Sequence, residues 1–449
     1  MPETGVSALG ISRRPHASVT AVTSIAGTQY DLRMHERQSY HGWRVVAAAF
    51  VLAVFGLGVG FHGPAIYLHT VHESRGWPLA LVSTAVTVHF LIGAVVVANL
   101  PALHRRFGIP TVTKAGAILL AVGVFGWASA TAPWQLFGAT LLSGAGWVTI
   151  GVAAINAIVA PWFIRGRPTA LAMAYNGGNI GGVVFSPLWA AAIGAFGFPA
   201  AAAAIGLVMA ITIWILADLV FSRTPQQMGL IPDGDEPGAQ TASVTSPAAT
   251  PLPGILLWSD RKFLTIAAGM ALGLFAQIGL VVHLYSLLVP ALGASQAGLA
   301  MGLVTLMAIV GRSLLGWAMP ANADRRLAAC ASYTVQMTGC AVFIAAAGTS
   351  VPLLLLGVVL FGTGFGKGTW LPPLIAQVEF VGDDVPRVVA LIVAISQGTY
   401  AFAPVVFGMI REFTSHTAGA DSGAAPALFA VAGVVQGMAI CAFLAGRCR

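Results

Sequence analysis

Two cationic side chains lie deep inside long apolar stretches of the sequence. Arg312 is near one end of its stretch, whereas Lys367, between Gly366 and Gly368, is further from an end than a lysine side chain can reach. A guanidinium binds a carboxylate through two parallel hydrogen bonds, and an ammonium offers three donors. These residues therefore predict anion binding. The alternatives are that Arg312 extends to water or acts at a gate, and that helix carbonyls or water satisfy Lys367.

Carboxylates are missing from the same stretches. Asp218, Glu379 and Glu412 lie at the ends of apolar segments, and no Asp or Glu lies in the interior of one. An unpaired buried charge is costly, so two interior cations without an acidic partner need an explanation. The missing partner is predicted to be the ligand, a small organic anion with one or two carboxylates.

Three histidines, His62, His89 and His283, are the other ionisable groups in apolar segments. A histidine with a pKa near 6.5 is the natural proton carrier where acids are absent. The alternative for each is a neutral histidine that is hydrogen-bonded within a helix bundle.

Uncharged polar residues complete the predicted ligand contacts. They are Tyr67, Asn156, Asn179, Gln277, Tyr285 and Gln397. Each of them could equally hold neighbouring helices together. The chain shows no metal-ligand cluster, nucleophile–base pair or acid pair, so we expect no enzyme activity, no cofactor and no metal.

The composition indicates the elements that must position these residues. Of 449 residues, 57% are apolar and 8% are charged, and the mean hydropathy is +0.85. A soluble domain carries about 25% charged residues, so this chain cannot cover a water-exposed surface. A soluble enzyme, a nucleic-acid-binding protein and a disordered scaffold are excluded. The fold class is predicted to be an all-α membrane protein.

Twelve stretches are long enough to cross a bilayer, which takes about 20 apolar residues. They lie at roughly 44–70, 79–100, 112–131, 135–160, 168–194, 198–221, 263–289, 296–319, 327–348, 351–377, 387–411 and 424–446. The predicted organisation is a polar tail at 1–42, a six-helix bundle at 43–221, a central loop at 222–258 and a second six-helix bundle at 259–449.

The positive charges favour one orientation. Eighteen cations fall on the side of the N-terminus, whereas Arg75 and Arg411 fall on the other side. Because Lys and Arg collect on the cytoplasmic side, both termini are predicted to be cytoplasmic. The excess of arginine over lysine and the abundant Ala and Gly indicate a GC-rich bacterial genome, and hence a multi-pass protein of the inner membrane.

The two halves repeat at an offset of about 218 residues. Gly93 matches Gly311, Tyr67 matches Tyr285, and the triplet at 144–146 matches that at 362–364. Parallel repeats of six spans are typical of carriers that bind their substrate between two rocking halves.

Several strings resemble the major facilitator superfamily, and within it the branch of monocarboxylate transporters and oxalate:formate antiporters. They are GWRVV at 42–46, WFIRGR at 162–167, VGRSLLG at 310–316 and DRR at 324–326. The resemblance covers essentially the whole chain. It implies twelve helices in two bundles, and it implies that Arg312 engages a substrate carboxylate.

The same resemblance implies a gate in two short connections. Its residues are Arg165, Arg167, Asp324 and Arg325, although simple positive-inside topology explains their charges as well. The sequence also departs from the family. The loop at 101–108 lacks the family's Gly and Asp, and Ala308 stands where many monocarboxylate transporters have an acid.

We therefore predict a secondary active transporter of small mono- or dicarboxylates that works by alternating access. Exchange with a counter-anion and proton symport both stay open, and a monomer suffices to form the pathway. One alternative is an efflux carrier for larger neutral or anionic compounds. Another, from a different class, is a non-transporting membrane sensor.

Overall fold

The computed structural model describes residues 40–234, 256–320, 323–369, 371–380, 384–418 and 425–447. The predicted tail, except for its last three residues, and much of the central loop lie outside these ranges. Within them the chain is helical, and its helices are joined by short turns.

Eleven helical spans are long and apolar enough to cross a membrane. The first six are His41–Arg75, Leu79–Phe107, Ile109–Ser129, Pro133–Trp162, Arg167–Phe196 and Phe198–Phe221. The seventh, eighth, ninth, eleventh and twelfth are Arg261–Leu292, Ala294–Ala318, Arg325–Ala346, Arg387–Thr414 and Pro426–Ala445. Spans one to six form the N-terminal bundle, and the later spans form the C-terminal bundle. The all-α membrane fold is confirmed.

The tenth predicted span, at 351–377, is not one helix. It consists of Val351–Phe365 and Leu371–Glu379, with a turn at 366–369 between them. Glycine weakens a helix, and Pro372 and Pro373 have no N–H groups to continue the hydrogen-bond ladder. The prediction of one continuous span is therefore wrong at this position.

The fourth span is interrupted at the corresponding place. Its helices Pro133–Thr149 and Val152–Val159 are separated at residues 150–151, which an offset of 218 relates to residues 368–369. The breaks thus follow the internal repeat.

Repeat-related glycines also pack alike. A Cβ placed on Gly144 would lie 3.0 Å from Cα of His89 in the second span. One placed on Gly362 would lie 2.7 Å from the carbonyl oxygen of Val304 in the eighth span. In both halves a glycine therefore permits close backbone approach between equivalent helices.

The first span contains a π-helical segment, Gly58–His62, between two α-helices. The extra residue of a π turn leaves carbonyl groups without their usual helical partners. One of them, on Val59, accepts a hydrogen bond of 3.1 Å from the Tyr67 hydroxyl. Tyr67 is buried, and its ring packs against Trp127, Trp189 and Phe198.

The ends of the helices define two faces of the protein, one at each side of the membrane. Tyr40 donates a hydrogen bond of 3.3 Å to the carbonyl oxygen of Ile231, so the start of the first span and the end of the sixth lie at one face. Arg447 and Asp324, which pair at 2.7 Å, lie at the same face of the C-terminal bundle. We call this the terminal face and the other the opposite face.

The bundles meet along three seams toward the opposite face. Between the first and seventh spans, the His69 ring meets the Tyr285 ring edge-on at 5.3 Å. Between the second and eleventh spans, the Ala80 N–H donates to Oε2 of Glu412 at 2.7 Å. Between the fifth and eighth spans, Gly298 is so close that a Cβ on it would lie 3.1 Å from the Ser186 carbonyl oxygen. The conformation is thus closed at the opposite face.

Candidate functional site

Lys367 lies in the turn that interrupts the tenth span. A Cβ on Gly366 would lie 2.7 Å from the carbonyl oxygen of Ala308, and one on Gly368 would lie 2.8 Å from Oε1 of Gln277. The turn is therefore wedged between the eighth and seventh spans, and only glycine fits on either side of the lysine. Lys367 itself is 8% exposed.

The Lys367 ammonium is not neutralised by a side chain. Among the described residues it has no hydrogen bond or ion pair, although its backbone N–H donates to the Gly364 carbonyl oxygen at 3.4 Å. The partial negative charge at the end of helix Val351–Phe365 offsets part of its cost.

Arg312 belongs to the stripe of the eighth span that faces this turn. Residues 305, 308 and 312 recur at helical spacing, and Ala308 contacts Gly366, so Arg312 lies one helical turn from the contact beside Lys367. Arg312 is half-buried, and its Nε has no hydrogen-bond partner in the part of the chain that the structure describes. Arg312 and Lys367 therefore lie on neighbouring spans, on either side of the contact between Ala308 and Gly366.

Gln277 and His62 lie next to this pair. Gln277 is 1% exposed, and its amide nitrogen has no hydrogen-bond partner among the described residues. On the N-terminal side, a Cβ on Gly182 would lie 2.6 Å from Nε2 of His62 and 2.7 Å from Cγ2 of Thr305. His62 therefore lies where the first, fifth and eighth spans meet. Arg312 is two helical turns further along the eighth span, toward the terminal face.

The glycines of the fifth span make that approach possible. Cβ atoms on Gly177 and Gly181 would overlap the carbonyl oxygens of Phe50 and Val54 in the first span. Asn179 is half-buried on another side of the helix, one turn from Gly182 and Val183, which contact the eighth span. The segment is thus first a close-packing surface for the first span, and Asn179 is carried beside the seam by it.

His89 is not part of this site. Its Nδ1 pairs with Oγ of Ser143 at 2.9 Å, and its Nε2 pairs with the carbonyl oxygen of Gly60 at 2.9 Å. The Trp127 indole N–H also donates to Ser143 Oγ, at 3.1 Å. With both ring nitrogens engaged inside the N-terminal bundle, His89 holds the π-helical segment in place. Tyr67 likewise lies inside that bundle.

His283 and Tyr285 lie on the seventh span toward the opposite face. Nε2 of His283 pairs with the Pro404 carbonyl oxygen at 3.0 Å, and the Tyr285 hydroxyl donates to the Ala294 carbonyl oxygen at 3.3 Å. The edge-on contact to His69 makes Tyr285 part of the closed seam, whereas the bond of His283 lies within the C-terminal bundle. The structure separates them from Arg312 and Lys367.

Two candidates face space that the contacts leave open. Asn156 is exposed on the short helix after the break in the fourth span. Gln397 is half-buried on the eleventh span, one turn before Tyr400, whose ring contacts Phe90 of the N-terminal bundle at 6.0 Å. Gln397 is therefore near the middle of the seam between the second and eleventh spans.

Arg411 lies near the opposite-face end of the eleventh span, on the side where the sequence places it. It is half-buried, and its guanidinium donates to the Ser286 hydroxyl of the seventh span. A cation at the end of an apolar segment can fold back onto a neighbouring helix, which the hydropathy profile does not show.

The predicted gate residues make their contacts within their own bundles. Arg167 donates to the carbonyl oxygens of Phe163 and Ala160, both at 3.0 Å. Arg325 donates to the Leu374 carbonyl oxygen at 3.0 Å. In this conformation these residues do not latch the bundles together through those bonds. A gating role at the terminal face stays a prediction for another conformation.

Asp233 and Arg165 form an arrangement that the sequence did not reveal. The Asp233 carboxylate accepts backbone N–H groups of Ile164, Arg165 and Gly166 at 3.0, 2.8 and 3.0 Å. Partial burial disfavours the carboxylate, but these three N–H groups and the charge of Arg165 outweigh it, and the pKa of Asp233 is lowered. The start of the central loop is thereby tied to the connection between the fourth and fifth spans.

Arg326 was counted only as a terminal-face cation, yet it is 2% exposed. Its Nε and Nη2 donate to the two carboxylate oxygens of Glu379 at 2.6 and 2.8 Å. It also donates to Thr265 Oγ1 at 3.0 Å and to the Phe443 carbonyl oxygen at 3.2 Å. The sequence signal for this pair was Glu379 at the end of the tenth span, because a carboxylate there lies at the same face as the basic connection that contains Arg326.

The architecture defines a class of protein. Two helix bundles meet at the opposite face, which is the plan of a carrier that opens alternately to the two sides of a membrane.

The chain belongs to the major facilitator superfamily. The model of that family matches residues 48–404. Human monocarboxylate transporter 11 is 26% identical over 414 residues, which covers 88% of this chain and 72% of the relative. The protein is accordingly a membrane transporter.

Solved structures show the same fold at low sequence identity. The nucleoside transporter NupG matches with a TM-score of 0.68 at 13% identity, over 90% of this chain and 98% of that one. The D-xylose-proton symporter matches with a TM-score of 0.65 at 13% identity, over 90% and 97%. At this identity the likeness concerns the fold alone.

Proposed function

We propose that this protein is a secondary carrier of small organic anions, and that Arg312 and Lys367 bind the substrate carboxylate. The observation that carries the proposal is that Arg312 and Lys367 lie on neighbouring spans and that the described residues provide no acidic partner for either. The human relative, by its name a monocarboxylate transporter, supports the same substrate class.

The physical role of the anion follows from the cost of unpaired charge. Two cations in a closing, poorly hydrated cavity oppose closure, because each loses hydration without gaining a partner. A carboxylate that bridges the Arg312 guanidinium and the Lys367 ammonium neutralises that charge. The loaded carrier can then reorient more easily than the empty one, which is the property that exchange requires.

Exchange is the coupling mode that we propose, because the described residues include no acid with a contact to either cation that could carry a proton. Proton symport is the alternative, and His62 is then the proton carrier, since the described residues leave its ring without a hydrogen bond. A pH gradient separates the two modes.

We further propose that the terminal face is cytoplasmic and that the membrane is a bacterial inner membrane. The positive charge supports this orientation, because exposed Arg44, Arg105, Arg106, Arg165, Arg167, Arg261 and Arg447 all lie at the terminal face. Labelling of single cysteines in intact cells, one at each face, tests it.

The test of the substrate class is counterflow in proteoliposomes. Labelled oxalate, lactate, pyruvate, succinate and an aromatic acid are offered against the same unlabelled compound. We expect uptake of at least one carboxylate, and we expect Arg312→Gln with Lys367→Gln to abolish it. Loss of one charged hydrogen-bonding partner costs about 1.5–3 kcal/mol, so each single variant should bind the hit about 10- to 100-fold more weakly.

The matched control is Arg44→Gln with Arg261→Gln, which removes two exposed cations from the terminal face. It should leave uptake within twofold of the wild type. Undiminished uptake in the double variant at 312 and 367 would refute the role of the two cations. Uptake of none of the carboxylates would favour the efflux carrier of larger compounds instead.

A further inference from the structure

A second charged cavity lies at the terminal face of the C-terminal bundle, away from the site between the bundles. It has a volume of about 350 Å³, which is in the range of small-molecule sites. The seventh, ninth, tenth and twelfth spans all contribute to its wall. The ionisable residues that line it are Lys262, Asp324, Arg325, Arg326, Glu379 and Arg447.

Both acids of this cavity are already neutralised. Glu379 binds the buried Arg326 through both oxygens. Asp324 pairs with Arg447 at 2.7 Å, and its other oxygen accepts the Arg326 N–H at 2.9 Å. The cavity therefore offers no free carboxylate for its remaining cations.

Two cations of the cavity have no carboxylate partner within the described ranges. The Lys262 ammonium has no hydrogen bond or ion pair there, and it is half-buried. Arg325 is half-buried as well, and its one bond is from Nη1 to the Leu374 carbonyl oxygen. The cavity thus carries an excess of two positive charges.

The cavity is rigidly built. Arg326 donates to the Lys262 carbonyl oxygen at 3.3 Å and to the Phe443 carbonyl oxygen at 3.2 Å, so it joins the seventh, ninth and twelfth spans beneath the cavity floor. Gly446 also lines the cavity. A side chain at this position would overlap the Arg326 guanidinium, so glycine is required there. Lys262 and Arg325 are therefore held on a preformed frame.

We propose that this cavity binds an anionic phosphate group. Phosphate oxygens accept the ammonium donors of Lys262 and the forked donors of Arg325. Basic pockets between helix ends at a membrane face suit phospholipid headgroups. Val378 and Leu327 nearby are 62% and 42% exposed, which gives acyl chains an apolar surface beside the cavity. A free phosphate compound offers the same oxygens without the chains.

The test has a lipid arm and a free-phosphate arm, both on the purified full chain. Native mass spectrometry counts phosphatidylglycerol and phosphatidylcholine molecules that are retained after delipidation. In the second arm, pyrophosphate is titrated in detergent while the thermal midpoint of unfolding is followed. The variant is Lys262→Gln with Arg325→Gln. The matched control is Arg105→Gln with Arg106→Gln, which removes two exposed cations from the other bundle.

One cation near an anionic headgroup contributes about a fivefold change in affinity, so the double variant should bind about 30-fold more weakly. Retention of phosphatidylglycerol over phosphatidylcholine, lost in the variant and kept in the control, identifies a lipid headgroup. A rise in midpoint with pyrophosphate alone, lost in the same variant, identifies a free phosphate compound.

The charge-conserving variant Lys262→Arg with Arg325→Lys distinguishes binding from folding, since it keeps both cations and should retain most of the affinity. Absence of binding in both arms for the wild type would overturn the proposal. An equal loss in the control at 105 and 106 would overturn it too, because the effect would then be general surface charge.

Discussion

The seam between the fifth and eighth spans provides the sharpest perturbation of the conformational equilibrium. A Cβ on Gly298 would lie 2.6 Å from Cβ of Ala190 and 3.1 Å from the Ser186 carbonyl oxygen. Carbon atoms at rest are about 3.5–4.0 Å apart, so valine at 298 must push the bundles apart by about 1 Å or more. The closed conformation should lose stability relative to the conformation that is open at the opposite face.

The size of the effect follows from the cost of overpacking. Inserting methyl groups into a packed contact costs about 1–3 kcal/mol. At 1.4 kcal/mol per tenfold, the ratio of open to closed protein should rise about 5- to 150-fold. Because the bundles are expected to move as rigid bodies, the seam between the second and eleventh spans should open together with the seam between the fifth and eighth spans.

Ser83 reports on that second seam. It is fully buried, and a Cβ on Gly408 of the eleventh span would lie 2.6 Å from its Cβ. The assay measures the rate at which maleimide labels Ser83→Cys, in protein whose native cysteines are replaced by serine. Those cysteines are Cys330, Cys340, Cys441 and Cys448. Gly298→Val should accelerate labelling by the same 5- to 150-fold range.

Gly316→Val is the matched control, because Gly316 is on the same span and a Cβ there would meet nothing within 4 Å. It should change the labelling rate less than twofold. Equal labelling in Gly298→Val and Gly316→Val would refute the reasoning, since the seam would then not hold the bundles closed. Slower labelling in Gly298→Val would refute it as well.

Three further predictions concern charged contacts. Glu412→Ala removes the acceptor of the Ala80 N–H, worth about 1 kcal/mol, and should speed Ser83→Cys labelling about fivefold. Because the pKa of Asp233 is lowered, its carboxylate should protect the amides of residues 164–166 from hydrogen exchange at neutral pH, and this protection should be lost as pH falls through that pKa. In Asp233→Asn, the exchange protection factors of these amides should already be lower at neutral pH. Glu379→Gln leaves Arg326 buried without its anion and should lower the free energy of unfolding by about 3 kcal/mol.

The predictions for Glu412 and Glu379 each have a control within the chain. Glu412→Gln keeps an acceptor oxygen and should lie between the wild type and Glu412→Ala. Arg447→Gln breaks an exposed pair with Asp324 and should cost less than about 1 kcal/mol. A loss in Glu379→Gln no larger than that in Arg447→Gln would contradict the assigned importance of the buried pair.

Much of the fold was predictable because apolar length decides whether a helix crosses a membrane. The eleven long spans lie where the hydropathy places them, and the internal repeat reappears in the contacts of Gly144 and Gly362. The turn at 366–369 was not predicted, because the local hydropathy stays high through it. The sequence signal for the turn was the pair of glycines at 366 and 368 with the prolines at 372 and 373. Whether such residues interrupt a helix depends on how the neighbouring helices pack against them.

The candidate site was predictable in its charges and less so in its geometry. Arg312 and Lys367 stand out because a cation is rare in an apolar segment. The role of His89 depends on Ser143, on another helix, and on the Gly60 carbonyl, which the π-helical segment frees. The contact of Arg411 with Ser286 joins two spans whose residues are 125 positions apart in the sequence. Such pairings arise from tertiary packing, which one sequence does not display.

The interrupted tenth span has a consequence for hydration. Helix Val351–Phe365 has 15 residues, which at 1.5 Å per residue span only about 22 Å of a hydrocarbon core about 30 Å thick. The backbone of the turn that follows is at membrane depth without a complete helical ladder. Lipid cannot satisfy peptide groups, and such backbone is tolerated only inside protein or beside water. The turn must therefore lie against protein or water and never against lipid, and its packing between the seventh and eighth spans meets that condition.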